Sequence, residues 1–171
     1  MKLVRYGDIG AERPGLIDPE GVLRDLSDHV TDINASVLGD AALARLRALD
    51  PSALPAVNGS PRLGPVVGDI GKFLCIGLNY SDHAAETGAA IPEHPILFFK
   101  ANSAIVGAND DVVMPRGSTH TDWEVELGVV IGTAAKYVSE EDALNHVAGY
   151  CDLALFWQRT RSFCTDHFSG L

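Results

Sequence analysis

The stretch TDWEVELGVVIG, residues 121–132, constrains this chain more than any other, because Asp122, Glu124 and Glu126 alternate with Trp123, Val125 and Leu127 ahead of an apolar run. Strict alternation marks a β-strand, which turns successive side chains to opposite faces. The three carboxylates therefore share one face and the three apolar side chains share the other. Same-face carboxylates stand roughly 6.5 Å apart, too close to be left uncompensated beside a buried sheet. Something positive is expected against that face.

A chain of 171 residues with 46% apolar content is long enough for a domain with a real core. Its formal charge of −10 argues against a general nucleic-acid or anionic-membrane partner. No apolar stretch reaches the length of a membrane span, and MKLVRYGDIG lacks the apolar middle of a signal peptide, so a cytoplasmic protein is expected. Cys75, Cys151 and Cys164 show no metal-type spacing and suggest no disulfide framework. Within FLCIG, Cys75 reads as a small buried hydrophobe, with a nucleophile as the alternative.

The chain divides into an N-terminal accessory region, residues 1–70, and a second region from 71 to 151, followed by a divergent tail, 152–171. In the first region, KLVRYG and GLIDPEGVLRDLSD predict short strands around an Asp-Pro-Glu-Gly turn. DAALARLRALDPSALP predicts a helix that Asp50-Pro51 ends, with Ala42, Leu43, Leu46 and Leu49 near helical spacing. NGSPRLGPVVGDIGK reads as a linker. Beyond it FLCIG and ILFFK predict strands, and YSDHAAETG a short helix with Ser81 or Asp82 as its N-cap. TDWEVELGVVIG predicts a long strand, SEEDALNHV a brief helix with a capping-box-like Ser139 and Asp142, and VAGYC a further strand.

Two groups of residues carry candidate chemistry. The carboxylate row is either a solvated acidic face or a set of oxygen ligands for a hard cation such as Mg²⁺, Mn²⁺ or Ca²⁺. His83 and Glu86, three apart, share one face of a helical turn, where a carboxylate raises the basicity of an imidazole. That pair is either a general base or an incidental ion pair on an exposed helix. His29, His94, His120, His146 and His167 lack such partners and read as structural or surface residues.

GLNYSDHAAETG, ILFFKANSAIVG, VVMPRGSTHTDWEVELGVVIG and HVAGYC, in that order and spacing, resemble the fumarylacetoacetate hydrolase family, most closely its ureidoglycolate lyase and 2-hydroxyhepta-2,4-diene-1,7-dioate isomerase branch. The resemblance implies an α+β, mainly β fold: an incomplete mixed β-roll or barrel preceded by a small N-terminal region, in an assembly that is a homodimer. It further implies Mg²⁺ or Mn²⁺ held by Glu124 and Glu126, an acid/base dyad of His83 and Glu86, and Lys100 facing the substrate. Asp122 is expected to support the ligands from behind. The implied substrates are small 2-oxo acids or 1,3-diketones, with C–C hydrolysis, decarboxylation or isomerisation as the reaction.

The resemblance ends after Cys151. The family pattern continues into a Val-Val-Asn-Asp-like segment whose last residue, the third metal ligand, falls at position 155, which here is Leu155. Asp152 is about 10 Å away along a strand and on the opposite face. The family's later Gly-Lys and Phe-Asp segments are also missing, and the tail with Phe156, Trp157, Arg159, Arg161, Phe163 and Phe168 has no family pattern. C-terminal truncation is therefore expected, with unpaired strand edges and exposed apolar surface. Two outcomes follow from it: a hydrolase or lyase impaired by truncation, or a non-catalytic fragment or interaction module.

Overall fold

The computed structural model describes residues 1–158. The arginines and aromatic residues expected from Arg159 onward, with Cys164 and His167, lie outside them. Strands β1 (Lys2–Tyr6), β2 (Arg13–Ile17) and β3 (Leu23–Asp25) form an antiparallel sheet in that order. Lys2 pairs with Ile17 and Tyr6 with Arg13, while Gly15 pairs with Asp25. The Asp-Pro-Glu-Gly turn links β2 to β3: Gly21 takes a left-handed φ of 84°, and the Asp18 carboxylate accepts the Val22 N–H at 2.7 Å. Helix α1 (Asp40–Arg47) lays Ala42 and Leu46 against Leu16, Leu26, Ile33 and Val37. Asp50-Pro51 then forces a 3₁₀ turn, Pro51–Ala53, with Asp50 accepting the Ser52 N–H at 2.9 Å. This core belongs to the first third of the chain.

The predicted linker is not free. Gly7 donates to the Arg62 carbonyl at 2.9 Å, Gly64 to that of Arg5 at 2.8 Å and Gly68 to that of Ile33 at 2.7 Å. An ionic chain accounts for the docking. The Arg62 guanidinium grips both oxygens of Asp110 at 2.6 Å and donates to Glu12 at 2.9 Å. Arg5 stands 3.6 Å from the same Glu12 and holds Asp32 at 2.6 and 3.1 Å. The glycines permit the approach, since a Cβ on Gly107 would overlap the Leu63 carbonyl oxygen.

Beyond it, β4 (Leu74–Gly77) pairs antiparallel with β5 (Ile96–Phe99), and α2 (Ser81–Thr87) lies between them in sequence. The N-cap of α2 is Tyr80 rather than Ser81 or Asp82, and its side chain makes no capping bond. Asp82 sits inside the first turn and accepts the His83 N–H at 2.8 Å, where a carboxylate still answers a freed donor. The longest elements, β6 (Thr121–Ile131) and β7 (Val147–Gln158), pair antiparallel with an irregularity at Val130/Ile131. Between them Ser139 and Asp142 bond reciprocally at 2.9 and 3.2 Å ahead of a 3₁₀ turn, Ala143–His146. β7 continues beyond Cys151 to Gln158, which pairs with Thr121. Among the described residues the three sheets stay separate and open, a mainly β architecture with two short helices.

The root of the β6–β7 hairpin rests on the N-terminal core through Val130 and Ala148. Gly132 lies so close to the Leu38 carbonyl that no Cβ fits. Higher up, the polarity is inverted: Glu124 and Glu126 are half-buried, whereas Trp123, Val125 and Leu127 are exposed.

Two stability predictions follow from these contacts. Leu26, with 0% exposure, should cost about 2–5 kcal/mol on Leu26→Ala in urea unfolding, because a buried cavity remains. Arg62→Met should lower the melting temperature most at neutral pH. The Arg62 hydrogen bonds hold the Glu12 and Asp110 carboxyls below the ordinary range. Their contribution is present above the unfolded-state carboxylate pKa and is lost as pH falls through the lower folded values. Thermal scans from pH 7 to pH 3 should therefore show the variant's deficit shrinking.

Candidate functional site

Residues directly opposite in an antiparallel pair point to the same face, so the β6–β7 register defines what surrounds the carboxylates. Leu155 stands opposite Glu124, Leu153 opposite Glu126 and Cys151 opposite Gly128. Asp152 pairs with Leu127 and is exposed on the apolar face. Asp122 lies at the exposed end of the carboxylate row, where it accepts the Trp123 N–H at 2.9 Å.

The positive group against this face is Lys100. Its N–H donates to the Phe73 carbonyl at 3.1 Å and extends the β4–β5 ladder by one pair, so Phe73, Cys75, Phe98 and Lys100 share a face. Burial holds the Lys100 ammonium below its ordinary pKa, while the charges of Cys75, Glu124 and Glu126 pull it back upward. Burial likewise pushes the Cys75 thiol up; Lys100 opposes that shift and Glu126 adds to it. Cys75, Lys100, Glu124 and Glu126 thus form one electrostatic cluster across two hairpins. Cys75 is half-buried, and its place beside Lys100 depends on a register that FLCIG alone does not reveal.

Helix α2 carries the other candidates. Its entry is strained, since Leu78 holds a left-handed φ of 49°. Ala84 anchors the helix at 1% exposure, leaving His83 and Glu86 exposed on the outside. Among the described residues no hydrogen bond or ion pair joins those two side chains. The helix closes on Gly88 at φ 66°, with Ala89 N–H donating to the Ala84 carbonyl at 2.9 Å.

Glu124 and Glu126 share one face of β6, and Leu155 opposite Glu124 offers no donor atom. Among the described residues no three His, Cys, Asp or Glu side chains gather in a group that could hold a metal ion.

The family profile of the fumarylacetoacetate (FAA) hydrolase C-terminal domain matches residues 72–164. A protein of Burkholderia ambifaria strain MC40-6 named as a hydrolase is 60% identical over 151 residues, which are 88% of this chain and 54% of that protein. Its counterpart in Burkholderia lata is 58% identical over the same shares. The chain thus spans about half the length of the curated relatives it matches. Among solved structures, an HpcE-type protein of Mycobacterium smegmatis superposes with a TM-score of 0.76 at 30% identity, over 92% of this chain and 56% of that one. The fumarylacetoacetate hydrolase of Exiguobacterium antarcticum gives 0.69 at 27% identity, over 91% and 56%.

The cluster predicts opposed effects on one thiol. At pH 7.5 Cys75 should react with iodoacetamide more slowly than free cysteine, because the thiolate is the nucleophile. Lys100→Met should slow the reaction further and Glu126→Gln should speed it, as read by peptide-resolved mass spectrometry.

Proposed function

The chain belongs to the fumarylacetoacetate hydrolase family, and from that premise we propose that it carries the first part of a hydrolase or lyase site for a small 2-oxo acid or 1,3-diketone. What supports this reading is that the half-buried Lys100 feels the charges of both Glu124 and Glu126, which raise its pKa against the burial that lowers it. C–C hydrolysis, decarboxylation and isomerisation of such substrates all build negative charge on oxygen next to the reacting carbon. A half-buried ammonium is suited to receive it, because charge interactions strengthen where water is excluded. Lys100 would orient the carboxylate or carbonyl oxygen. His83 would accept the proton and Glu86 would hold the imidazole, tightening to it when substrate binds.

In this reading Glu124 and Glu126 are the inherited ligands of Mg²⁺ or Mn²⁺, with Asp122 behind them. The family's ion would supply Lewis acidity. Because Leu155 contributes no donor, the chain alone does not complete that site, and no step is assigned to the ion. A cytoplasmic enzyme working as a homodimer remains part of the proposal. The second reading, a non-catalytic fragment or interaction module, draws its support from that same Leu155.

Calorimetric titration with Mn²⁺ distinguishes them. The inherited site predicts weak binding by the wild-type chain, tightened by roughly tenfold or more on Leu155→Asp, a gain of the size that individual site residues carry. Adding Glu124→Ala should abolish the gain. Equal, negligible heats for wild type and Leu155→Asp, both folded by circular dichroism, would favour the non-catalytic module.

A further inference from the structure

Asn58 lies in the connection that leads from the N-terminal core to the second region, and it is exposed together with Gly59 and Ser60. Among the described residues its carboxamide has no hydrogen-bond partner. Gly59 holds a left-handed φ of 75°, and a Cβ built on it would meet nothing within 4 Å. No side chain therefore screens the Gly59 amide, and glycine leaves the backbone free to swing that nitrogen toward the Asn58 side chain. The other five of the chain's six asparagines are hindered. Asn34 accepts from Ser36 and donates to Asp69, Asn102 donates to the Ile70 carbonyl and Asn145 to Asp142. Asn109 is followed by Asp110, whose N–H is engaged by the Gly107 carbonyl at 3.1 Å. Asn79 is followed by the bulky Tyr80, the N-cap of α2.

We propose that Asn58 is a self-modifying site, where the chain turns a peptide bond into an isoaspartyl link without an enzyme and thereby loosens the joint at Arg62. The Gly59 N–H loses its proton to hydroxide, and the nitrogen attacks Cγ of Asn58. A bond forms between the two, the Cγ–Nδ2 bond breaks, and Nδ2 takes a proton from water and leaves as ammonia. Water then opens the cyclic imide. Cleavage of the new bond leaves an ordinary aspartate at position 58, whereas cleavage of the original peptide bond routes the backbone through the side chain and adds a methylene to it. Nothing is oxidised or reduced. The position gives that methylene its effect. Upstream, the Val57 N–H donates to the Leu23 carbonyl at 2.9 Å and Ala56 bridges to Arg24. Downstream, the Arg62 carbonyl accepts from Gly7 at 2.9 Å and Leu63 bridges to Tyr6. The added atom enters a short span pinned at both ends, just ahead of the guanidinium that holds Glu12 and Asp110. The age of the chain thus sets how firmly its second region is docked, whatever chemistry the candidate site performs.

The test ages the 171-residue chain in mildly alkaline buffer and follows each asparagine by peptide mapping, with fragmentation that separates isoaspartate from aspartate. The expected result is conversion at Asn58 about tenfold faster than at any other asparagine, the ratio for ~1.4 kcal/mol of barrier. Gly59→Ala, which crowds the attacking nitrogen, should slow it by about the same factor, with circular dichroism checking that the variant is folded. Gly7 and Gly64 donate across the joint, and their amides should exchange hydrogen about threefold faster in the aged chain than in the fresh one. Asn58→Asp, which adds the charge without the methylene, should exchange like the fresh chain, and so should Gly59→Ala aged alongside. Another asparagine converting as fast as Asn58 overturns the proposal, as does an undiminished rate in folded Gly59→Ala. So does fresh-chain exchange at Gly7 and Gly64 in the isoaspartyl form, or equal acceleration in Asn58→Asp.

Discussion

Arg62 is the joint on which the rest of the arrangement depends. Its guanidinium bonds Glu12 of the N-terminal region and Asp110 of the second region at once, and a planar fork is the side-chain shape that can satisfy two carboxylates together. Glu12 in turn meets Arg5, and Arg5 meets Asp32. Charges of alternating sign along such a chain offset one another's desolvation, which an isolated pair in the same place would not do. The network fixes where the segment after residue 58 runs. With Val130 and Ala148 seated on the core, it also ties the second region to the only well-buried apolar cluster among the described residues.

The candidate site is therefore built on a scaffold that is firm at one end. Lys100 comes from the β4–β5 ladder, the carboxylates from the upper part of β6, and His83 from a two-turn helix held by one buried alanine. Only the first two are coupled electrostatically in this structure. The row of like charges that made TDWEVELGVVIG unusual is answered by a lysine twenty-odd positions earlier, on a different hairpin.

Local patterns were the legible part of the sequence. Alternation predicted β6 and its faces, Asp-Pro-Glu-Gly predicted the β2–β3 turn, and apolar spacing predicted α1 and the Asp50-Pro51 stop. Four motifs in order disclosed the family and hence the mainly β fold. What could not be read depended on partners distant in the chain. The linker looks free until Arg62 is seen to hold Asp110, 48 residues away. Cys75 looks like a core residue until register sets it near Lys100. The α2 cap was misplaced by a residue because Tyr80 offers no capping side chain, and Asp82 fulfils a similar role from within the helix.

Along the inner face of β6 the surroundings change in steps: Asp122 is exposed, Glu124 and Glu126 are half-buried, Gly128 is buried and Val130 leans on the core. The strand is thus a dielectric ramp, wet at its tip and oil-like at its root, and the cost of holding an ion climbs along it. Gly128, whose side-chain space is taken by the Cys151 sulfur, marks the depth at which charge must stop. The two glutamates occupy the last rungs above that limit, half-buried between the open tip of the strand and its seat on the core.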